Sequence, residues 1–326
     1  MRSFFRNMST ILDTTSIYFD DVNLIAQPAA IKSRSEVPPF LNRIFVSPME
    51  AVVGEVFIKE ASALGLSVCV PKFGAIDKSL SIFSASQNKH NTFAGIGLDD
   101  WDRAAELSDI GAENWLIDCA NGYLPQIKTA IYRLCNTYKV KKLMIGNVMS
   151  LSGVNLYKDV TRDNKCLMRF YIRVGIGNGS PCATKFVTGY NRGNITELIE
   201  CSKAKEYMFC ELVSDGGIKD SGCAAKAFGA GSDAVLMGGY FAQADCAETW
   251  IRGDGTYWGG ASTKQQQLNG AVTRHSEGSV VSINNKRPLK DLVTDLVGGI
   301  ASSVSYSGYK SLPEFIGNGV FERKRC

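Results

Sequence analysis

The chain has 326 residues, 45% of them hydrophobic, so it can bury a large core in one barrel-sized domain or in two smaller ones. Its formal net charge is +4, and the basic residues are spread along the chain, which argues against nucleic-acid binding but suits an anionic small ligand. The ten cysteines form no CxxC pair and only two histidines are present, so we expect no zinc site.

The N-terminal segment MRSFFRNMSTILDTTSIYF is too polar to span a membrane and lacks a secretory hydrophobic region. We therefore expect a cytoplasmic protein with reduced thiols and no membrane partner. Cysteines inside apolar runs, such as Cys69 and Cys119, are expected in the core.

Eight short apolar runs, each ending near Gly, Asp or Pro, predict β-strands. In chain order they are IFVSPME from residue 44, LSVCVPKFG from 66, TFAGIG from 92, NWLIDCANG from 114, KKLMIGN from 141, FYIRVGIGNG from 170, CELVSDGG from 210 and DAVLMGG from 233. Segments of helical period separate them, for example GEVFIKEASAL and DSGCAAKAFGAG. This alternation predicts a parallel sheet, and eight units favour an α/β fold of the (β/α)₈ TIM-barrel type over a doubly wound sheet, which usually has fewer strands.

The region from Ala244 to about Pro288 departs from this rhythm and predicts a flap after the eighth strand. The last stretch, PLKDLVTDLVGGIASSVSYSGYKSLPEF, returns to helical period and should close the barrel. We therefore predict a single TIM-barrel domain over residues 1–326.

Two glycine-rich strand ends predict a nucleotide site. SDGG at 214–217 and MGG at 237–239 follow the seventh and eighth strands, where barrels commonly bind phosphate through backbone N–H groups. Asp215 would repel a phosphate but could accept hydrogen bonds from a neighbouring ribose. A phosphate site beside a carboxylate suggests a nucleotide ligand.

The loop VGIGNGSPCATKFVTG places Gly175, Gly177 and Gly179 before a single thiol, Cys182. Such a loop could direct carbonyl groups at a monovalent cation or N–H groups at an anion. Taken alone, Cys182 is more often a packed loop cysteine than a nucleophile. Thr184 lies two residues further on, and Glu277 lies in the flap motif RHSEG. These residues favour a nucleophilic role for Cys182, with Glu277 transferring protons.

From about Phe19 to Phe315 the chain resembles the inosine monophosphate dehydrogenase and guanosine monophosphate reductase family. The similar segments are FDDVNLIAQP, IKSRSEV, SPMEAVVGE, IDCANGY, GNV, VGIGNGSPCATKFVTG, SDGGIKDSGCAAKAFGAGSDAVLMGG, RHSEG and DLVGGIASSVSYSGYKSL. Within this family the chain is most similar to the reductases. It contains IDCANGY and the Arg-x-Ser-Glu-Gly flap motif, and it has no room for inserted regulatory modules.

The resemblance implies NADPH-dependent reductive deamination of GMP to IMP and ammonia. Cys182 would add to C2 of the purine to give a covalent thioimidate, and Thr184 and Glu277 would handle the protons of the departing amine. Two alternatives stay open: an IMP dehydrogenase-like or other purine (deoxy)nucleotide oxidoreductase of the same superfamily, and a non-catalytic nucleotide-binding barrel.

The resemblance also implies binding residues, a potassium ion and a homotetramer. The nucleotide would be bound by Asn147, Asp215, Gly216, Gly217, Gly238, Gly239, Arg274, Ser276 and Gly278. NADPH would be bound by Lys72, Asp118, Cys119, Ala120, Thr273, Ser302, Ser303, Val304 and Ser305, with Ser33 and Arg34 from a neighbouring subunit. Potassium would be bound by backbone carbonyls of Gly177, Gly179 and Cys182.

The chain departs from the family pattern at identifiable positions. Glu50 stands where a shorter Asp is usual, Asn178 stands where the family usually has proline, and GGAS at 259–262 replaces Gly-Met-Ser-Ser. The segment after Gly189 reads YNRGNITEL and lacks the usual Tyr-Pro-Gln. We expect purine recognition to differ near Glu50, Gly260 and the segment from Tyr190 to Asn194.

Overall fold

The computed structural model describes residues 15–163, 167–270 and 276–324, and a closed barrel of parallel strands forms its centre. In chain order the strands are β1 (Val22–Leu24), β2 (Ile44–Val46), β3 (Ser67–Cys69), β4 (Thr92–Ile96), β5 (Asn114–Ile117), β6 (Lys142–Val148), β7 (Arg169–Val174), β8 (Glu211–Asp215), β9 (Ala234–Met237), β10 (Thr256–Trp258), β11 (Val280–Ser282) and β12 (Phe321–Arg323). Strands β2 to β9 neighbour one another in sequence order, and β9 pairs with β2 to close the barrel. The predicted TIM barrel is confirmed.

Helices follow the barrel strands as the alternating pattern predicts. They are α1 (Glu55–Ala63), α2 (Ile76–Ala85), α3 (Trp101–Asp109), α4 (Pro125–Thr137), α5 (Leu151–Asn155), α6 (Lys158–Asp163), α7 (Thr184–Val187), α8 (Asn194–Ser202), α9 (Ser221–Gly229), α10 (Glu248–Arg252), α11 (Thr263–Leu268), α12 (Leu289–Tyr306) and α13 (Leu312–Phe315). Within the described ranges, no helix is long and apolar enough to cross a membrane.

The barrel strands are apolar because they are buried on both faces. Inside the barrel, Phe45, Phe93 and Tyr171 meet edge to face, with ring centroids 5.3 to 5.8 Å apart. Aromatic pairs favour this geometry because the positive edge of one ring meets the negative face of another. The packed interior leaves the loops at the carboxyl ends of the strands as the place for a ligand.

The excursion after β9 contains α10, β10, α11 and β11 in its described part. Strands β10 and β11 form an antiparallel ribbon in which Thr256 pairs with Ser282 and Trp258 pairs with Val280. The Trp258 indole is 2% exposed and donates to Gln265 Oε1 of α11 at 3.0 Å. This contact ties the ribbon to α11. After the excursion, α12 packs against α9 on the outside of the barrel.

Candidate active site

The loop that follows β7 carries Cys182 and three glycines. Gly175 and Gly177 have φ angles of +138° and +80°, which residues with a Cβ atom rarely adopt. A Cβ atom on Gly175 would also lie 2.1 Å from the carbonyl oxygen of Asp215. The loops after β7 and β8 can therefore touch only because this residue is glycine.

A short antiparallel backbone bridge holds the Cys182 loop against the flap. The Ala183 N–H donates to the Glu277 carbonyl at 2.7 Å, and the Ser279 N–H donates to the Pro181 carbonyl at 2.7 Å. Because these bonds lie on either side of Cys182, the flap runs alongside the thiol. The bridge thereby brings the side chain of Glu277 to the predicted nucleophile.

Cys182, Thr184 and Glu277 form a continuous line of side-chain hydrogen bonds. Cys182 Sγ donates to Thr184 Oγ1 at 3.1 Å, and Thr184 Oγ1 donates to Glu277 Oε2 at 3.0 Å. All three residues are half-buried. This line can carry a proton from the sulfur to the carboxylate, and the thiolate so formed is the nucleophilic state of cysteine.

A cavity of about 1720 Å³ at the carboxyl ends of the strands contains this line of residues. Its wall also includes most of the residues predicted to bind nucleotide, cofactor and cation, namely Asn147, Asp215, Gly216, Gly217, Gly238, Gly239, Gly278, Lys72, Asp118, Cys119, Ala120, Gly177 and Gly179. The fold therefore brings together residues that are distributed over almost the whole sequence.

Arg173 lies between two carboxylates in this cavity. Its guanidinium donates from Nη2 to Asp118 Oδ1 at 2.8 Å, and its Nη1 lies 3.6 Å from Asp215 Oδ2. Arg173 is only 3% exposed, so these contacts are shielded from water. Burial raises the pKa of Asp118, but Arg173 and Lys72 outweigh burial and hold that pKa below its ordinary value. Asp118 is thus a stable carboxylate acceptor for ligand hydroxyl groups.

Asp215 is positioned by Asn147. The Asn147 amide donates to Asp215 Oδ2 at 2.7 Å and to the Gly175 carbonyl at 2.7 Å. Burial raises the pKa of Asp215 above its ordinary value, and the nearby Arg173 and the Asn147 hydrogen bond offset this only in part. A carboxyl group in such surroundings suits hydrogen bonding to a neutral hydroxyl group.

Comparison with known proteins identifies the family. The model of the IMP dehydrogenase / GMP reductase domain matches residues 70–325. The chain belongs to the IMP dehydrogenase / GMP reductase family. Family membership makes this protein an oxidoreductase, as the sequence predicted.

Several curated members of this family align with nearly the full chain. A GMP reductase from Onchocerca volvulus is 26% identical over 345 residues, covering 97% of this chain and 93% of that protein. A GMP reductase from Caenorhabditis elegans is 28% identical and covers 97% and 94% of the two chains. GMP reductase 1 from Mus musculus is 27% identical and covers 94% of each.

In this family member the predicted phosphate-binding glycines occupy two neighbouring loops. Gly216 and Gly217 have φ angles of +88° and +76°. A Cβ atom on Gly238 would lie 2.3 Å from Met49 Sδ, and one on Gly239 would lie 2.6 Å from the Tyr257 hydroxyl. The absence of side chains at these positions leaves backbone accessible to an anion.

Thr273, Arg274 and Ser276 are predicted binding residues on the flap, and the structure describes Ser276. Thr273 and Arg274 lie outside the described residues. Ser276 donates its hydroxyl to the Gly278 carbonyl at 2.9 Å, so it supports the turn that brings Gly278 to the cavity wall.

The remaining predicted cofactor residues, Ser33, Arg34 and Ser302 to Ser305, do not line the cavity of their own chain. Arg34 donates from Nη1 to Ser302 Oγ at 3.1 Å, which joins the segment around Ser33 to α12. On the same helix, Ser303 donates to the Gly299 carbonyl at 3.1 Å and Val304 is fully buried in the core. The last predicted member, Ser305, also lies on α12. None of these residues lines the cavity that contains Cys182.

Two of the predicted potassium ligands, Gly179 and Cys182, are joined by a tight turn. The Cys182 N–H donates to the Gly179 carbonyl at 3.0 Å, so one lone pair of that oxygen is already used. A carbonyl oxygen keeps a second lone pair. The turn therefore has the right chemical groups for a cation, and potassium binding stays a prediction.

Glu50, one of the departures from the family pattern, has a structural role. Its two oxygens accept hydrogen bonds from Lys78 Nζ at 2.7 Å and Gln265 Nε2 at 2.6 Å. Burial raises the pKa of Glu50, but the hydrogen bonds from Lys78 and Gln265 prevail and the pKa is lowered. Glu50 thus anchors α11 of the flap to α2.

The expectation that Cys119 belongs to the core is wrong. Cys119 is half-buried, its Sγ lies 3.5 Å from the Asn121 carbonyl, and it lines the cavity. The apolar run ends at Ile117, the last residue of β5, and the chain then turns toward the ligand side of the barrel. Cys69, in contrast, is fully buried inside the barrel as expected.

Sequence reasoning missed two buried charged residues, Arg173 and Glu197. Arg173 interrupts the apolar strand β7, and Glu197 lies on α8 with only 1% of its surface exposed. A charged residue inside an otherwise apolar segment was the available signal, because such residues are rarely buried without a partner.

Proposed function

We propose that the protein is a GMP reductase that converts GMP to IMP and ammonia with NADPH as reductant. The line from Cys182 through Thr184 to Glu277, inside a cavity lined by the predicted nucleotide-binding glycines, is the observation that carries this proposal. Full-length similarity to proteins named GMP reductase supports the choice of substrate within the family.

The relay explains how a neutral thiol becomes a nucleophile. Glu277 takes the thiol proton through the Thr184 hydroxyl, and Cys182 Sγ then forms a bond to C2 of the purine. The same relay returns a proton to the exocyclic amine, the C2–N bond breaks and ammonia leaves a thioimidate on Cys182. Each proton thus moves along hydrogen bonds of 3.0 and 3.1 Å that already connect these side chains.

The second half of the reaction releases the product. NADPH, when bound, supplies the hydride that C2 receives. The C2–S bond then breaks, so Cys182 leaves as a thiolate and IMP is free to dissociate. Covalent capture allows one site to carry out amine loss and reduction in turn.

The residues present fit a nicotinamide cofactor. The cavity of about 1720 Å³ exceeds the ~300–1,000 Å³ of an ordinary small-molecule pocket, so it has room for substrate and part of a second ligand. Lys72, Asp118 and Ala120 lie on its wall. Asp118 would accept hydrogen bonds from ribose hydroxyl groups, and Lys72 would complement a negative group.

We further propose a homotetramer that binds potassium. Ser33, Arg34 and Ser302 do not line the cavity of their own chain, so a neighbouring subunit would supply them to the cofactor. The carbonyls of Gly177, Gly179 and Cys182 would hold the ion. Sedimentation analysis would test the assembly, and activity in potassium compared with lithium salts would test the ion.

A panel of purine nucleotides with NADPH or NAD tests the proposed reaction. GMP with NADPH should produce IMP and ammonia while the absorbance of the reduced nicotinamide falls. Cys182→Ala should abolish this reaction and retain GMP binding, whereas Cys135→Ala, a change on α4, should leave it unchanged. NADPH oxidation that survives Cys182→Ala would contradict the mechanism.

The same panel separates the alternatives. Conversion of IMP with NAD, without reaction of GMP, would identify an IMP dehydrogenase-like activity. Reaction of deoxynucleotides in preference to GMP would identify a different purine substrate. Nucleotide binding without turnover of any pair would identify a non-catalytic barrel.

A further inference from the structure

A side chain of the glycine loop that carries Cys182 makes a contact that the reaction scheme does not use. Asn178 lies between Gly177 and Gly179, and its amide donates to Glu197 Oε1 on α8 at 2.7 Å. Glycines on both sides give this loop large conformational freedom, which costs entropy when the loop is ordered. A fixed contact at Asn178 is therefore well placed to restrict the loop.

We propose that Glu197 is a positioning residue for the nucleophile, acting through its hydrogen bond to Asn178. The proposal takes Cys182 as the nucleophile and in that respect rests on the proposed function. Neither residue touches the relay itself, since the Cys182 thiol bonds to Thr184 and not to Asn178.

Glu197 sits in surroundings that favour the neutral acid. It is 1% exposed, and its second oxygen is buried without a hydrogen-bond partner among the described residues. Arg192, the nearby cation, forms its ion pair with Glu200. Burial raises the pKa of Glu197 well above its ordinary value, and Asp215 adds to the effect, while Arg192 and the Asn178 hydrogen bond oppose it. A neutral carboxyl group still accepts the hydrogen bond from Asn178.

The same turn of α8 also contacts the loop after β8. Asn194, the first residue of α8, is 4% exposed and donates to the Gly216 carbonyl at 3.3 Å. A Cβ atom on Gly216 would lie 2.8 Å from the Gly179 nitrogen, so the two loops are in direct contact. Asn194 and Glu197 thus hold the nucleophile loop and the predicted phosphate loop in one arrangement.

The constraint at Asn178 can reach the thiol through the backbone. Gly179 follows Asn178 directly, and its carbonyl accepts the Cys182 N–H at 3.0 Å. A displacement of the loop at Asn178 would therefore move Cys182 relative to a nucleotide held by the neighbouring loop. Because misplacement of a reacting group by about 1 Å can cost about 100-fold in rate, loss of the anchor should lower kcat more than it changes KM.

Steady-state kinetics of three variants tests this proposal. Glu197→Ala should lower kcat about tenfold or more with KM for GMP within about twofold, because binding groups are kept while the reacting atom is displaced. Glu197→Gln, a neutral side chain of the same shape, should restore kcat to within about twofold of the unmodified enzyme. Glu206→Gln, an exposed control just beyond α8, should have no effect.

Asn178→Ala and the double variant with Glu197→Ala test whether the two residues act as one unit. The double variant should lose no more activity than the more impaired single variant. Thermal unfolding of each variant separates loss of the folded protein from loss of positioning. Additive losses, or equal activity of the Ala and Gln variants at position 197, would overturn the proposal.

The alkylation rate of Cys182 provides a measurement that does not depend on the reaction. Glu197→Ala should change this rate by about threefold or more, and Glu197→Gln should not. If the unmodified protein fails to oxidise NADPH with GMP, the proposed function fails while this measurement still tests the anchor. Unchanged alkylation in Glu197→Ala would overturn the positioning role.

Discussion

Thr184 Oγ1 donates to Glu277 Oε2 at 3.0 Å, although the two residues are 93 positions apart in the chain. Thr184 is the first residue of α7, at the end of the loop after β7, and Glu277 lies on the flap after β9. The contact depends on the backbone bridge between Cys182 and Gly278. The proposed proton relay therefore requires the flap to be in contact with the loop that carries Cys182.

Replacing Glu277 should remove the proton acceptor of the relay without removing the nucleotide site. Glu277→Gln is expected to lower kcat for GMP reduction about 100-fold or more, because positioned general acids and bases contribute about 10²–10⁴-fold. GMP binding, measured by calorimetry, should change little. The control is Glu322→Gln, which alters an exposed carboxylate on β12. Full activity in Glu277→Gln would exclude this residue as the base.

Cysteine labelling should distinguish Cys182 from the buried thiols. Burial raises the pKa of Cys223 to about 11 and that of Cys210 to about 12, so neither thiol forms appreciable thiolate near neutral pH. Cys182 is half-buried on the cavity wall and should react first with iodoacetamide. Peptide mass spectrometry would identify the labelled residue, and GMP should protect it. Faster labelling of Cys210 or Cys223 would contradict the assignment.

Removing Arg173 should destabilise the fold and impair the site together. Arg173→Met leaves the half-buried Asp118 and Asp215 without their shared cation. Breaking a buried ion pair costs about 3–5 kcal/mol, and we expect a loss of at most this size because both carboxyl groups are partly exposed. Urea unfolding would measure the loss. Arg162→Ala removes an exposed ion pair on α6 and should have little effect. Equal stability of these two variants would show that the Arg173 contacts contribute nothing.

The buried Glu197 should make stability fall as the pH rises. Its folded-state pKa lies above its unfolded value near 4.5, so the folded protein keeps a proton that the unfolded chain loses. The free energy of unfolding should then decrease from about pH 4.5 up to the folded pKa, with a slope of at most about 1.4 kcal/mol per pH unit from this one group. Arg192 opposes the shift and Asp215 adds to it.

Glu197→Gln isolates this contribution because glutamine does not titrate. Chemical unfolding at several pH values should show the Gln variant gaining stability relative to the unmodified protein as the pH rises above about 4.5. A difference in stability that stays constant with pH would show that Glu197 ionises normally in the folded protein.

Much of the fold could be predicted because local signals and tertiary packing agree. The barrel strands are buried on both faces, so each appears in the sequence as a short apolar run, and turns rich in glycine separate them. The glycine-rich run before Cys182 likewise marks the end of β7, so the sequence also predicts the loop that carries this thiol. Cys119 was misassigned because an apolar run does not indicate the residue at which a strand ends and the chain turns toward the ligand.

Periodicity and residue type are enough to predict the barrel strands and the groups that could react. Which of these groups meet depends on the three-dimensional packing. The contact of Thr184 with Glu277 and the ion pair of Arg173 with Asp118 join separate barrel units, and the contact of Asn178 with Glu197 joins the loop after β7 to the helix that follows it. Such contacts depend on the closure of the barrel, which places the ends of distant strands side by side, and no local pattern encodes those distances.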